Sequence, residues 1–177
     1  FPKLIDAKYN IDIFPKNKKA NVSGDLTVYN QHDVSIDSIF LNINKQWNLN
    51  FDFPNASIIS KDEKHGVLFY KIDPPVYPGD TLVVKFENKY ETKGFSNGGE
   101  TTSIVKNGSF LNNGEILPEI GYNSFKEIGD KNKRKKLGLP PKERMPELEI
   151  NCGPNCDKNY LTGAFSDYIN VESIVST

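Results

Sequence analysis

The chain has 177 residues, with 22 Lys+Arg against 23 Asp+Glu and a formal charge of −1. That balance gives no global attraction for nucleic acid or an anionic membrane. The mean hydropathy is −0.54, and no apolar run approaches the roughly 18 residues of a membrane helix. Two His, two Cys and one Met are too few for a self-contained zinc, haem or iron–sulfur site of the usual ligand number.

At this size a core can form without disulfides or metal. Phe1 follows no signal-peptide pattern, and the chain stops at Thr177 inside an alternating segment. Both ends read as residues 1–177 forming a single domain cut from a longer protein.

Period-two alternation dominates the first half. Ile5, Ala7, Tyr9, Ile11 and Ile13 share one face of a strand, opposite Asp6, Lys8, Asn10 and Asp12. Ala20, Val22, Leu26 and Val28 repeat the pattern against Asn21, Ser23, Asp25 and Thr27. The polar stretch from Phe14 to Lys19 makes these two a hairpin. Ile36–Ile43, Ala56–Ser60, Val67–Ile72 and Thr81–Tyr90 predict four more strands. Pro78-Gly79-Asp80 sets a turn before the last, in which Leu82, Val84, Phe86 and Tyr90 share a face.

The second half is irregular. Gly94–Gly114 is rich in Gly, Asn, Ser and Thr, and Ser103–Val105 and Ser109–Leu111 predict a hairpin turning at Asn107-Gly108. Ser124–Leu137 predicts a short helix, weakened by Gly129 and stopped by Gly138. Four prolines between Leu139 and Asn159 predict an extended excursion, and Asp167–Ser176 a final strand with Ile169, Val171 and Val175 on one face. The fold class is all-β: an antiparallel, saddle-like β-sandwich with a long irregular insertion, about residues 122–166, that contains a short helix.

Catalytic motifs are absent from the sequence. His32 and His65 sit in polar turns without the spacing of a zinc pair, and no G-x-S-x-G or phosphate-binding glycine loop occurs. Asp62 and Glu63 are adjacent, so on a strand they point to opposite faces. Cys152 and Cys156 enclose Gly153-Pro154-Asn155, a spacing that suits a local disulfide or inert thiols better than redox or metal chemistry. Lys131–Lys136 places five basic residues in six positions. This is a solvated helix face or a patch for an anionic partner. The stretch Gly94–Asn123, with Phe95, Phe110 and Tyr122, reads either as a binding-loop set or as plain hairpin turns. A stand-alone module binding glycans or protein through Trp47, Tyr77 and these loops is an alternative.

The order of features resembles a known family. Ala7–Pro15 followed by Val22–Asn30, then Ile36–Ile43 and Tyr77–Phe86, is similar to the N-terminal domain of aminopeptidase N-type zinc metallopeptidases. Gly94-Phe95-Ser96-Asn97-Gly98-Gly99, Phe110-Leu111-Asn112-Asn113, Leu117-Pro118-Glu119-Ile120-Gly121-Tyr122 and Gly138–Pro146 look like a bacterial subgroup fused to the membrane-spanning permease of an ABC-type transporter. Glu119 and Gly121 stand where the typical enzyme has cysteine and aspartate.

The resemblance implies a non-catalytic domain with no catalytic or metal residues and no cofactor of its own. Zinc is expected in a missing downstream domain that bears H-E-x-x-H. The implied partners are that domain and a peptide substrate, in an extracytoplasmic, membrane-anchored parent. By position, Asn112, Asn113 and Glu115 are implied as one wall of the substrate cleft.

Overall fold

The computed structural model describes residues 2–43, 47–91, 103–121, 127–142 and 169–177. Two units separate: Phe1–Tyr122 together with Ile169–Thr177, and Asn123–Tyr168.

In the first unit, β1 (Lys3–Phe14) and β2 (Lys19–Tyr29) form the expected hairpin around a 3-10 turn at Pro15–Asn17. Ala7, Tyr9 and Ile11 pair with Leu26, Gly24 and Val22. The apolar members of these pairs are buried, so the alternation itself fixes the register. The strands that follow are β3 (Ile36–Asn42), β4 (Trp47–Asp52), β5 (Ala56–Asp62), β6 (Val67–Val76) and β7 (Thr81–Glu91). Short pieces come next: β8 (Ile104–Val105), β9 (Gly108–Ser109), α1 (Asn113–Ile116) and β10 (Glu119–Ile120), with β11 (Asn170–Ser176) last.

One sheet has the order β11-β1-β2-β7-β4 and the other β10-β3-β6-β5. Their inner faces share one core, with Leu26, Val84 and Phe86 from the first and Ile39, Leu41 and Ile72 from the second. Phe53 leaves β4 and stacks on Tyr70 of β6 at 5.1 Å, closing that end of the core. The chain is therefore all-β and sandwich-like, as the alternation predicts.

Four details depart from the sequence reading. First, β4 had no assignment, although Trp47, Leu49 and Phe51 alternate with polar residues. Its polar positions are Asn48, Asn50 and Asp52, poor strand formers, and pairing with β7 overrides them. Second, β11 joins β1 in parallel rather than antiparallel. β1 already has β2 on its other side, and the residues between β10 and β11 provide the long crossover that a parallel pair needs.

Third, the β8–β9 turn is Lys106-Asn107, one residue earlier than expected, because Val105 pairs with Gly108 and Ile104 is buried at 2% exposure. Fourth, in the second unit the helix is only α2 (Lys131–Lys136), started by the Asp130 side chain accepting from the Lys133 amide at 2.7 Å. Residues 122–126 lie outside the described residues.

Val171 and Val175 stand beside Ala7 and Ile11 on the core side of the sheet, yet they are half exposed. Among the described residues β11 forms the sheet's edge. Across the outer face, Glu172, Lys8, Asp25, Lys85 and Asp52 sit in one cross-strand row of alternating charge, the arrangement that favours a solvated face. Gly24 lies in the middle of β2, where β1 comes so close that an added Cβ would fall on the Lys8 carbonyl and 2.6 Å from the Tyr9 Cβ. No other residue fits there.

Candidate functional site

Three asparagines are the buried polar residues among those described: Asn30, Asn42 and Asn88 at 0%, 6% and 1% exposure. A buried amide is costly unless it is bonded, and each of these is used to hold a loop. Asn30 donates to the carbonyls of Val34 and Val76 at 2.8 and 2.9 Å and accepts from the His32 amide. Its backbone bonds Asp80 and Gly79. It therefore ties the β2–β3 loop to the Pro78-Gly79 turn at one end of the sandwich.

Asn88 and Asn42 hold the segment 112–121. Asn88 of β7 donates to the Ile116 carbonyl at 2.8 Å, and Asn42 of β3 donates to the Gly121 carbonyl at 2.7 Å. The Gly121 amide donates to the Phe40 carbonyl at 2.8 Å, and Glu119 and Ile120 pair with Asn42 and Leu41 as strand β10. Ile116, 1% exposed, enters the core, and Pro118 is also buried. Asn88 belongs to the first sheet and Asn42 to the second, so the segment spans both.

The single helical turn α1 sits at the head of this anchored segment. The Asn112 side chain caps it by accepting from the Gly114 amide at 3.0 Å, and the Asn112 carbonyl accepts from the Glu115 and Ile116 amides. The Tyr9 hydroxyl donates to the Asn113 side-chain oxygen at 3.2 Å. These bonds sort the three wall candidates. Asn112 uses its side-chain oxygen as a cap. Asn113 has its oxygen engaged and its amide nitrogen at an exposed position. Glu115 is half-buried, and its carboxylate has no ion-pair partner among the described residues. Phe110, just before the turn, is 77% exposed.

An exposed aromatic, an amide donor and an unpaired carboxylate on a fixed turn can receive a group that is cationic at one end and apolar beside it. They supply no nucleophile or metal set. Among the described residues no three of His, Cys, Asp and Glu converge on a point.

The remaining candidates are dispersed. His65 pairs with Asp62 at 2.7 Å in an exposed turn. That hydrogen bond, with the His65 backbone amide, holds the Asp62 carboxyl below its usual range. Tyr77, in the β6–β7 turn, is 56% exposed, and Trp47 is in β4 with its side chain outside the description. Gly94–Gly99, Cys152 and Cys156 lie outside the described residues. A shallow depression of about 430 Å³ on the outer sheet face is lined by Lys8, Asp25, Lys85, Glu172 and Ile174, and its opposite charges offset one another.

Sequence reasoning missed the two asparagines that fix the turn. For Asn88 a signal was present: it interrupts the apolar face Leu82, Val84, Phe86, Tyr90 at its fourth position. No protein-family model and no curated protein matches the chain.

Proposed function

We propose that this sandwich is a non-catalytic domain that presents the Asn113–Glu115 turn, with Phe110 beside it, to the substrate cleft of a neighbouring domain. The observation that carries the reading is the unpaired Glu115 carboxylate on a turn anchored from both sheets by Asn88 and Asn42. Holding a surface turn with two buried amides fixes its position to the precision that recognition needs, while its outward groups stay available.

The resemblance to aminopeptidase N-type domains supplies the neighbour: a zinc-bearing peptidase-like domain in a membrane-anchored, extracytoplasmic protein related to ABC-type permeases. The cationic group would then be the amino end of a peptide. Glu115 would accept from that ammonium and the Asn113 amide would donate to the first carbonyl.

The test is a photo-crosslinking residue placed at Asn113 in the complete gene product. Crosslinks to a domain bearing H-E-x-x-H, or to the first residue of a bound peptide, are expected. A gene product without that motif, or a crosslinker that reacts only with solvent, refutes the reading. Specific retention on a glycan array, lost in Phe110→Ala and Tyr77→Ala, would assign the surface to sugars instead.

A further inference from the structure

The described part of the second unit, residues 127–142, carries a charge that the rest of the chain lacks. Six cations (Lys131, Lys133, Arg134, Lys135, Lys136, Lys142) stand against Glu127 and Asp130, in a chain of net charge −1.

A six-residue helix is too short to persist by its own propagation, so its fixtures are informative. Asp130 caps its start. At its end Gly138 takes φ +67°, its amide donates to the Lys135 carbonyl and the Leu139 amide to the Arg134 carbonyl at 2.9 Å. This paired return needs a residue at positive φ and satisfies the last carbonyls. Arg134 is turned inward: Nε donates to the Pro140 carbonyl at 2.7 Å and Nη1 to the Ile128 carbonyl at 2.9 Å, with Glu127 at 3.5 Å. Only 12% of its side chain is exposed.

The arginine therefore serves the fold, and the four lysines of α2 are all exposed. At about 100° per residue they fan across roughly 200° of the helix surface, with Arg134 on the remaining side. Leu137 and Leu139, at 61% and 42% exposure, adjoin the end of that fan.

We infer that this capped turn docks on an anionic lipid surface, its lysines against headgroup phosphates and Leu137 and Leu139 in the headgroup–acyl boundary. Favourable placement of cations near a helix C-terminus accounts for the lysines but not for two adjacent exposed leucines. Recognition of a single phosphate or carboxylate would use arginine, whose planar fork gives bidentate bonds, and the arginine here is committed internally. Flexible lysines spread over a wide arc suit diffuse negative charge, and aliphatic side chains at the rim suit a bilayer boundary. This inference is separate from the Asn113–Glu115 reading and can fail without affecting it.

The test is sedimentation of the 177-residue chain with vesicles of 30 mol% phosphatidylglycerol in phosphatidylcholine, and with phosphatidylcholine alone. Binding to the first only, and its loss in 0.5 M NaCl, are expected. Replacing Lys131, Lys133, Lys135 and Lys136 by Gln should lower the partition coefficient about fivefold each, several hundredfold together. Glutamine is a comparable helix former, so circular dichroism should be unchanged. Leu137→Ser with Leu139→Ser should lower it about tenfold. No binding to anionic vesicles, or equal binding by the quadruple Gln variant, overturns the inference. Retention on polyglutamate resin without vesicle binding would assign the patch to an acidic protein and overturn it as well.

Discussion

Asn88 offers the most direct test of how the presented turn is held. Its amide nitrogen bonds the Ile116 carbonyl at 2.8 Å, while its own Oδ1 is buried without a hydrogen-bond partner among the described residues. Asn88→Ala strips the Ile116 carbonyl of its donor inside the core, a loss of about 1–3 kcal/mol. It also removes the orphaned Oδ1, which returns part of that. A net destabilisation of about 2 kcal/mol is expected, a shift of about 1 M in urea midpoint for a chain of this size.

Two near-isosteric variants sharpen the argument. Asn88→Leu keeps the volume and removes both polar atoms, so it should cost only about 1 kcal/mol. Asn88→Asp turns the donor into an acceptor facing the Ile116 carbonyl and buries a charge, so it should cost more than Ala, above about 3 kcal/mol. The second readout is amide hydrogen exchange. Ile116 and Leu117 donate to the Asn112 and Asn113 carbonyls, so losing about 2 kcal/mol of anchorage locally should speed their exchange about 30-fold. An Asp variant as stable as the Leu variant, or unchanged exchange at Ile116 and Leu117, would refute the claim that Asn88 fastens the turn.

Other substitutions probe the scaffold. Gly24→Ala places a methyl group against the Lys8 carbonyl and Tyr9 backbone. Overpacking against main chain in mid-sheet should cost about 3 kcal/mol or more, a fall of about 10 °C in Tm by calorimetry; a change under about 2 °C would mean that β1 and β2 separate easily there. Asn30→Ala leaves the Val34 and Val76 carbonyls without their side-chain donor and should cost about 2–4 kcal/mol in urea unfolding, whereas Asn10→Ala on the solvent face should cost under about 0.5 kcal/mol. Burial raises the Tyr70 phenol above its usual range, against a smaller opposing effect of Lys61. Below about pH 10 the neutral phenol is bound in both folded and unfolded chains. Above it the unfolded chain ionises first, so stability should fall with rising pH until the folded phenol ionises. Tyr70→Phe should flatten that slope in urea midpoints measured between about pH 9 and 11, and an unchanged slope would contradict the burial effect.

The strands were legible because their physics is local. Ala7, Tyr9 and Ile11 alternate with Lys8 and Asn10, and the one face that can leave water does so. The Pro78-Gly79 turn was legible for the same reason, as its residues fix their own dihedrals. What escaped was decided by partners far along the chain. Asn48 and Asn50 read as loop formers until β7 supplies a ladder. The parallel entry of β11 depends on which edge of β1 is vacant. Asn88 and Asn42 are 28 and 79 residues from the carbonyls they hold, and no local period encodes such a bond. Yet each such residue left a mark, a polar side chain at a position where the pattern demands an apolar one. Asn88 between Phe86 and Tyr90 is the clearest case. An amide at a core position is stable only if some backbone group comes in to meet it. The interruption therefore predicts that a loop is fastened at that level of the sandwich, and Ile116 is the residue that arrives. Asn113 and Glu115 of the wall triplet sit on that fastened turn, so the departure from the strand pattern and the candidate site share one structural cause.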